Sequence, residues 1–422
     1  MSKAQAELEL QDKPQESFLR YEADELIFVT PAENSRPEKK KSVAKLLNNY
    51  TGPLYCYDLD FIRYRAQKMQ AVLKNVKLFY AMKANFNEEV LKIFLSLGVG
   101  IDVVSEGEIR KALSVGFTPD QIVYSGVGKT KKEIDSAIEL SIYQINVESL
   151  PELRRIIEIA KNKKKKVNVA FRLNPNMSIE THPYIATGLR DNKFGIELEA
   201  FTELMAISKE NKEFLNVRGI SLHLGSQMKE FQPLKDALSK LRDYFIQLNK
   251  EFEECVCFDV GGGLGIFYEK QDLKAENQLL ENYKEVIFSE LEDLYKKIPN
   301  FEIQSEPGRW LVAHGGFLLS EVQYIKKTKF KNFLIIDSGM NHLLRPSLYE
   351  AYHEVMSVKN NEKKEIYDVV GPICESSDFF AKGRTLSTLN EGDFVLIADC
   401  GAYGASMSND YNLQARAKEI YL

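Results

Sequence analysis

Three short stretches of this chain combine residue types and spacings that could do chemistry. Lys83 closes the apolar run "FYAMKAN", glycines 261–263 and 265 crowd into "DVGGGLG" directly after "CVCF", and Glu306 and Arg309 frame "EPGR". A primary amine at the end of an apolar run is either a solvated rim residue or a group held in a cavity to form an imine. Glycine costs backbone entropy, so four in five positions mark a turn where a ligand needs bare backbone. A phosphate fits, because glycine-rich turns aim N–H groups at anions. The nucleotide signatures are incomplete, though. A G-x-G-x-x-G fingerprint from Gly261 meets Ile266 where its last glycine belongs, and "GVGKT" (126–130) has Val123 in place of the first glycine of a Walker A loop.

The elements that must position these groups follow a strand–helix rhythm from residue 77 onward. Strand candidates are "KLFYAMKA", "GIDVVS", "QIVYSG", "YQINVES", "VNVAFRLN", "VRGISLHLG", "CFDVGGG" and "FEIQSEPGR", separated by helix-period segments such as "LPELRRIIEIAKN". Eight such steps over about 235 residues predict a (β/α)8 TIM-like barrel, with a doubly wound parallel sheet as the alternative. Beyond "EPGRWLV" the pattern turns to strands and turns with little helix. This predicts a C-terminal antiparallel β-sandwich or β-barrel domain, which the strand-like "YEADELIFV" (21–29) would join. The expected organisation is a disordered tail over 1–16, an N-terminal segment of the β domain over 17–58, the barrel over 59–312 and the β domain over 313–422.

With 422 residues, 44% hydrophobic and 28% charged, the chain reads as an ordinary globular protein, and its net charge of −5 gives no reason to expect a nucleic-acid partner. Five cysteines without a paired framework suit a reducing compartment, and "CVC" lacks the second pair that a zinc site needs, so no metal is expected. No apolar stretch is long enough to cross a bilayer, and the charged start of the chain lacks a signal core. The cytoplasm is the expected location.

In a (β/α)8 barrel the active site forms at the C-terminal strand ends. Those ends carry Lys83, Ser105, His223, Ser226, Gly261–Gly263, Glu306 and Arg309. A lysine for an imine, glycine amides and an arginine for a phosphate, a histidine to stack on a ring and an acid for a ring nitrogen are what pyridoxal 5'-phosphate asks of its protein. The series "FYAMKAN", "GIDVVSEGE", "HLGSQ", "DVGGGLG", "EPGR", "GPICESSD" and "GAYGASMSNDYN" resembles, in order and over nearly the whole chain, the motifs of the diaminopimelate decarboxylases. These belong to the alanine-racemase-like, fold-type III pyridoxal-phosphate proteins.

The resemblance implies a role for each matching residue. Lys83 would hold the cofactor as an imine, His223 would stack on its ring, and Ser226, Gly261, Gly262 and Gly263 would hold its phosphate. Glu306 would keep the ring nitrogen protonated, within an "EPGR" turn whose Pro307, Gly308 and Arg309 also line the cofactor. Arg309, Arg345 and Tyr349 would bind the distal end of the substrate, Glu375 its distal ammonium, and Tyr403 both phosphate and substrate. Arg345 and Tyr349 are four apart, which suits one helical face, although Pro346 allows a turn equally well. Cys374 would deliver a proton to Cα, reaching the site from the partner subunit of a homodimer with shared active sites. In "THPYIATGLRDNKFGI" (181–196), His182 and Lys193 would order a loop without a catalytic role. The implied activity is decarboxylation of meso-2,6-diaminopimelate to L-lysine and CO2, the last step of lysine biosynthesis. Alternatives are a related decarboxylase acting on ornithine, arginine or a carboxylated polyamine, and a non-catalytic cofactor-binding homologue. The paired Arg345 and Glu375 favour a substrate that ends in a whole amino-acid head group.

Overall fold

Eight short apolar runs lie parallel because a helix follows nearly every one of them and covers its outer face. The structure is a computed structural model and describes residues 17–32, 37–177, 192–269 and 271–422. The expected tail over 1–16, and His182, lie outside the described residues. The strands are Val76–Ala81, Gly100–Val103, Ile122–Tyr124, Gln144–Val147, Val167–Asn174, Leu215–Ser221, Cys257–Asp259 and Glu302–Ser305. Each pairs with the next in sequence, and the eighth returns to the first, with Ser305 opposite Leu78. The sheet is therefore closed. A doubly wound sheet would have two open edges, so the barrel is the right reading. A short extra strand, Ile196–Glu197, pairs with Leu173 and Asn174 outside this circuit.

Local sequence sets where the covering helices begin. Asn87 caps Glu88–Ser96, Ser149 caps Leu150–Lys163, and Thr130 with Glu133 forms a capping box at Lys131–Leu140. Ser105 belongs with them: its hydroxyl accepts the Glu108 N–H at 3.2 Å and starts the helix Glu106–Val115.

Contacts divide the chain into two units. One is Ala66–Gly265 with Leu279–Trp310, which holds the barrel strands; the other is Met1–Arg65, Ile266–Gln278 and Leu311–Leu422. The second unit contains an eight-stranded sheet that is mostly antiparallel but includes two parallel pairs. Asn332–Ile336 runs parallel to Lys364–Val370, and Lys418–Tyr421 runs parallel to Leu54–Tyr57. Each pair is separated by enough chain to cross over and return in the same direction, which a hairpin cannot do. The wholly antiparallel expectation missed this because periodicity reports strands, not their direction. "YEADELIFV" is also not one strand. It is a hairpin, Leu19–Glu22 with Glu25–Thr30, turning at Ala23 (φ 53°), and with Lys39–Ser42 it forms a separate three-stranded sheet. The N-terminal strand that enters the larger sheet is Leu54–Tyr57, beside Gly316–Lys327.

A buried ionic chain explains why Ile266–Gln278, inside the span read as barrel, belongs to the β unit. Arg65 Nη2 lies 2.6 Å from Glu276 Oε2, Glu276 Oε1 lies 2.9 Å from His314 Nε2, and His314 Nδ1 lies 2.6 Å from Asp399 Oδ1. Burial alone would lower the imidazole's pKa, but the two flanking carboxylates outweigh it and push His314 up to about 9. Four segments distant in sequence are joined by alternating charge.

Candidate active site

Lys83 occupies a single 3-10 turn, Met82–Ala84, at the end of the first barrel strand. Its Nζ lies 3.0 Å from Oδ2 of Asp102, which is fully buried at the end of the second strand, while 35% of the lysine side chain stays exposed. The amine is thus reachable by a ligand and held by a fixed counter-charge. Asp102 Oδ1 is buried and has no hydrogen-bond partner among the described residues.

Glu306, just past the eighth strand, is built into the floor of the same strand-end layer. Its Oε1 accepts from Asn146 Nδ2 at 3.0 Å and Ser125 Oγ at 3.3 Å, and Asn146 Nδ2 also donates to Ser125 Oγ at 3.0 Å. Asn146 is in turn fixed by Gln144 Nε2, 2.8 Å from its Oδ1. Burial, then the carboxylates of Asp102 and Asp259, raise Glu306 well above the ordinary carboxylate range. A buried carboxyl with a raised pKa, whose Oε1 is held by Asn146 and Ser125, is a group that can share a proton with a ring nitrogen.

His223 follows the sixth strand and accepts the Gly262 N–H on Nδ1 at 3.1 Å. Burial, with Arg172 and Lys83 nearby, keeps the ring well below its usual pKa, hence neutral with its proton on Nε2. Arg172 is held at 2.7 Å by Glu148 and stacks 4.7 Å from the Phe194 ring. Arg309 donates from Nε and Nη2 to Ser226 Oγ, at 3.2 and 2.8 Å. Pro307 O accepts from the Ala81 N–H at 2.9 Å, and a side chain at Gly308 would press on Ala81 and Ala84.

The glycine turn is required first by the protein itself. A Cβ at Gly261 (φ +69°) would run into the Leu222 carbonyl, and one at Gly262 into the Glu306 carbonyl. The Gly261 N–H donates to Asp259 Oδ1 at 2.8 Å and that of Gly262 to His223. Among the described residues, Gly263 N–H is the one of the three cradle amides without a protein acceptor. Asp102, Ser125, Asn146, Asp259 and Arg172 were not found from the sequence. Each is a polar residue at or just past the end of an apolar strand, and that position was the available signal.

Lys83, His223, Ser226, the glycines and Glu306–Arg309 therefore share one unit, and their donor set suits a pyridoxal phosphate: an amine, a neutral ring, a buried acid of raised pKa and an arginine–serine pair. The other candidates lie in the second unit. Arg345 is buried at the start of the five-residue helix Arg345–Tyr349, with Pro346 tolerated in its first turn. Its Nη1 lies 2.6 Å from His353 Nε2, and its guanidinium lies 4.7 Å from the Tyr268 ring. Cys374 is exposed, with its N–H donating to Asn412 Oδ1 at 2.9 Å. Glu375 follows it, also exposed. Buried Asp378 ties this loop down by accepting the Ile373 and Met340 N–H groups at 2.7 and 2.6 Å. Tyr403 adopts φ +57°, a left-handed backbone that an aromatic residue rarely keeps without functional reason.

Residues 59–313 match the family model for the pyridoxal-dependent decarboxylase, pyridoxal binding domain. The diaminopimelate decarboxylase of Campylobacter jejuni is 40% identical over 380 residues, covering 90% of this chain and 92% of that protein. Among solved structures, diaminopimelate decarboxylase from Helicobacter pylori complexed with L-lysine superposes with a TM-score of 0.82 at 39% identity, covering 90% of this chain and 93% of that one. The enzyme of M. jannaschii in complex with L-lysine gives a TM-score of 0.86 at 33% identity, covering 96% and 93%.

Proposed function

This chain belongs to the diaminopimelate decarboxylase family of pyridoxal-dependent decarboxylases, and from that premise we propose that it converts meso-2,6-diaminopimelate to L-lysine and CO2. The observation that carries the reading is the pairing, in one barrel mouth, of a partly exposed Lys83 with a buried Glu306 whose Oε1 is held by Asn146 and Ser125. Two similar proteins hold L-lysine in their structures, the product this reading requires.

Bound pyridoxal phosphate supplies the electron sink for the bond pair released as CO2 departs. Lys83 fixes the cofactor's aldehyde end, and Asp102 keeps the amine oriented. Neutral His223 covers one ring face. Glu306 would face the ring nitrogen and hold a proton there, with Asn146 and Ser125 stabilising negative charge on its Oε1. Arg309 and Ser226, with the Gly263 amide, bind the phosphate, assisted by Tyr403. At the distal end of the substrate, Arg345 and Tyr349 take the carboxylate and Glu375 takes the ammonium. Cys374 Sγ–H gives its proton to Cα, replacing the broken C–CO2 bond by C–H. Because Cys374 and Glu375 sit on an exposed loop, we assign them to the site of a second copy, in a homodimer with shared sites. We place the protein in the cytoplasm: its cysteines are free thiols, and no described helix is long and apolar enough to cross a membrane.

The direct test is CO2 release from meso-diaminopimelate by the protein loaded with pyridoxal phosphate; failure to release it sinks the reading. Glu306→Gln should retain cofactor yet lose more than about tenfold in turnover (~1.4 kcal/mol), because a neutral amide cannot stabilise the charge of a protonated ring nitrogen. An unchanged turnover number would mean that Glu306 does not face the ring. Arg345→Ala should raise KM for diaminopimelate by roughly tenfold or more and gain little on lysine or ornithine, since removing a clamp builds no new pocket. A substantial gain of ornithine activity would instead place specificity elsewhere.

A further inference from the structure

His353 is one of five histidines, is fully buried, and has no part in the chemistry described above. Its two ring nitrogens have partners that allow only one proton arrangement. Nε2 lies 2.6 Å from Arg345 Nη1, and a guanidinium can only donate, so Nε2 must accept. Nδ1 lies 2.8 Å from the Ala398 carbonyl oxygen, which can only accept, so Nδ1 must carry the hydrogen. The ring is therefore neutral, in its Nδ1–H tautomer. The Tyr268 ring packs edge-on to it, with centroids 5.3 Å apart, and also lies under the Arg345 guanidinium.

We propose that His353 is the positioning residue for Arg345, holding the guanidinium plane against Tyr268 so that it meets the substrate's distal carboxylate in one orientation. This rests on the functional reading above. An arginine side chain has four rotatable bonds, and anchoring one terminal nitrogen removes most of the freedom that carboxylate binding would otherwise have to freeze. The anchor also makes recognition sensitive to acid. Protonation would place an Nε2–H against an N–H donor at 2.6 Å and one cation against another. Cys400 Sγ lies 3.8 Å from Nδ1, and burial keeps that thiol protonated. Arg384 donates to the His353 carbonyl at 3.1 Å, and the adjacent Glu354 is paired with Arg384 at 2.9 Å. Acidification should therefore loosen Arg345 and weaken binding of the distal carboxylate.

Two measurements on the cofactor-loaded protein test this. In protein labelled with [15N]histidine, the His353 ring should show a protonated Nδ1 and an unprotonated Nε2 near neutral pH; an Nε2–H tautomer or an imidazolium there would overturn the proposal, whether or not the protein turns over diaminopimelate. In kinetics, His353→Phe keeps the ring volume but offers no acceptor, and should raise KM for diaminopimelate about tenfold with kcat within about twofold. His353→Gln, whose amide oxygen can accept from Arg345, should recover part of that loss. The wild-type KM should climb as pH is lowered through the His353 titration seen by NMR, and the Phe variant should lack that dependence. A wild-type KM that stays flat while His353 protonates would refute the positioning role. A His353→Phe effect of equal size in an Arg345→Ala background would refute it too, because the two residues would then act independently. Absence of CO2 release by the wild type would count against the functional reading alone, because the tautomer still decides the His353–Arg345 contact.

Discussion

Lys83→Ala is expected to abolish decarboxylation and to leave a folded protein. The side chain is partly exposed in a one-turn 3-10 segment and supports no helix or strand, so its loss removes little packing. On the proposed reading, what it takes away is the covalent attachment of the cofactor, together with the counter-charge of Asp102. Covalent catalysis depends on that amine, so the activity loss should exceed roughly a thousandfold (~4 kcal/mol). The visible absorbance of lysine-bound cofactor should vanish in the same variant. Far-ultraviolet circular dichroism should match the wild type, because the barrel strands and their capped helices are untouched. Turnover near the wild-type rate would rule out Lys83 as the attachment point.

Mixing two inactive variants should restore activity if the sites are shared. Lys83→Ala spoils one contribution to a site and Cys374→Ala another, and each homodimer is inactive by itself. In a heterodimer of a two-fold assembly, one site takes both lesions and the other takes neither. Statistical subunit exchange should then bring back roughly a quarter of wild-type activity, a large rise from a background near zero. Activity that stays at background, with exchange proven by mass spectrometry of differently tagged subunits, would assign Cys374 to its own subunit's site.

The motif residues were legible because each departs from what its position would otherwise hold. A lysine after "FYAM" and four glycines after "CVCF" go against the apolar runs that precede them. The supporting residues were harder to see. Asn146 in "YQINVES" and Ser125 in "QIVYSG" look like ordinary polar residues at strand ends, and only strand adjacency brings them to Glu306, far away in sequence. The glycine turn was read as a place for a ligand. The structure adds a prior demand, since the Leu222 and Glu306 carbonyls already fill the space a Cβ would occupy.

From the sequence alone came the barrel, the cofactor class and the candidate residues at its strand ends, because hydrophobic period and exceptional residue types are local properties of the chain. Tertiary structure decided the rest. It closed the sheet through Ser305 and Leu78, made two strand pairs of the β unit parallel, and divided "YEADELIFV" into a hairpin. It also raised the pKa of Glu306 and set the tautomer of His353. Protonation follows burial and facing partners, and those partners come together only when distant segments pack.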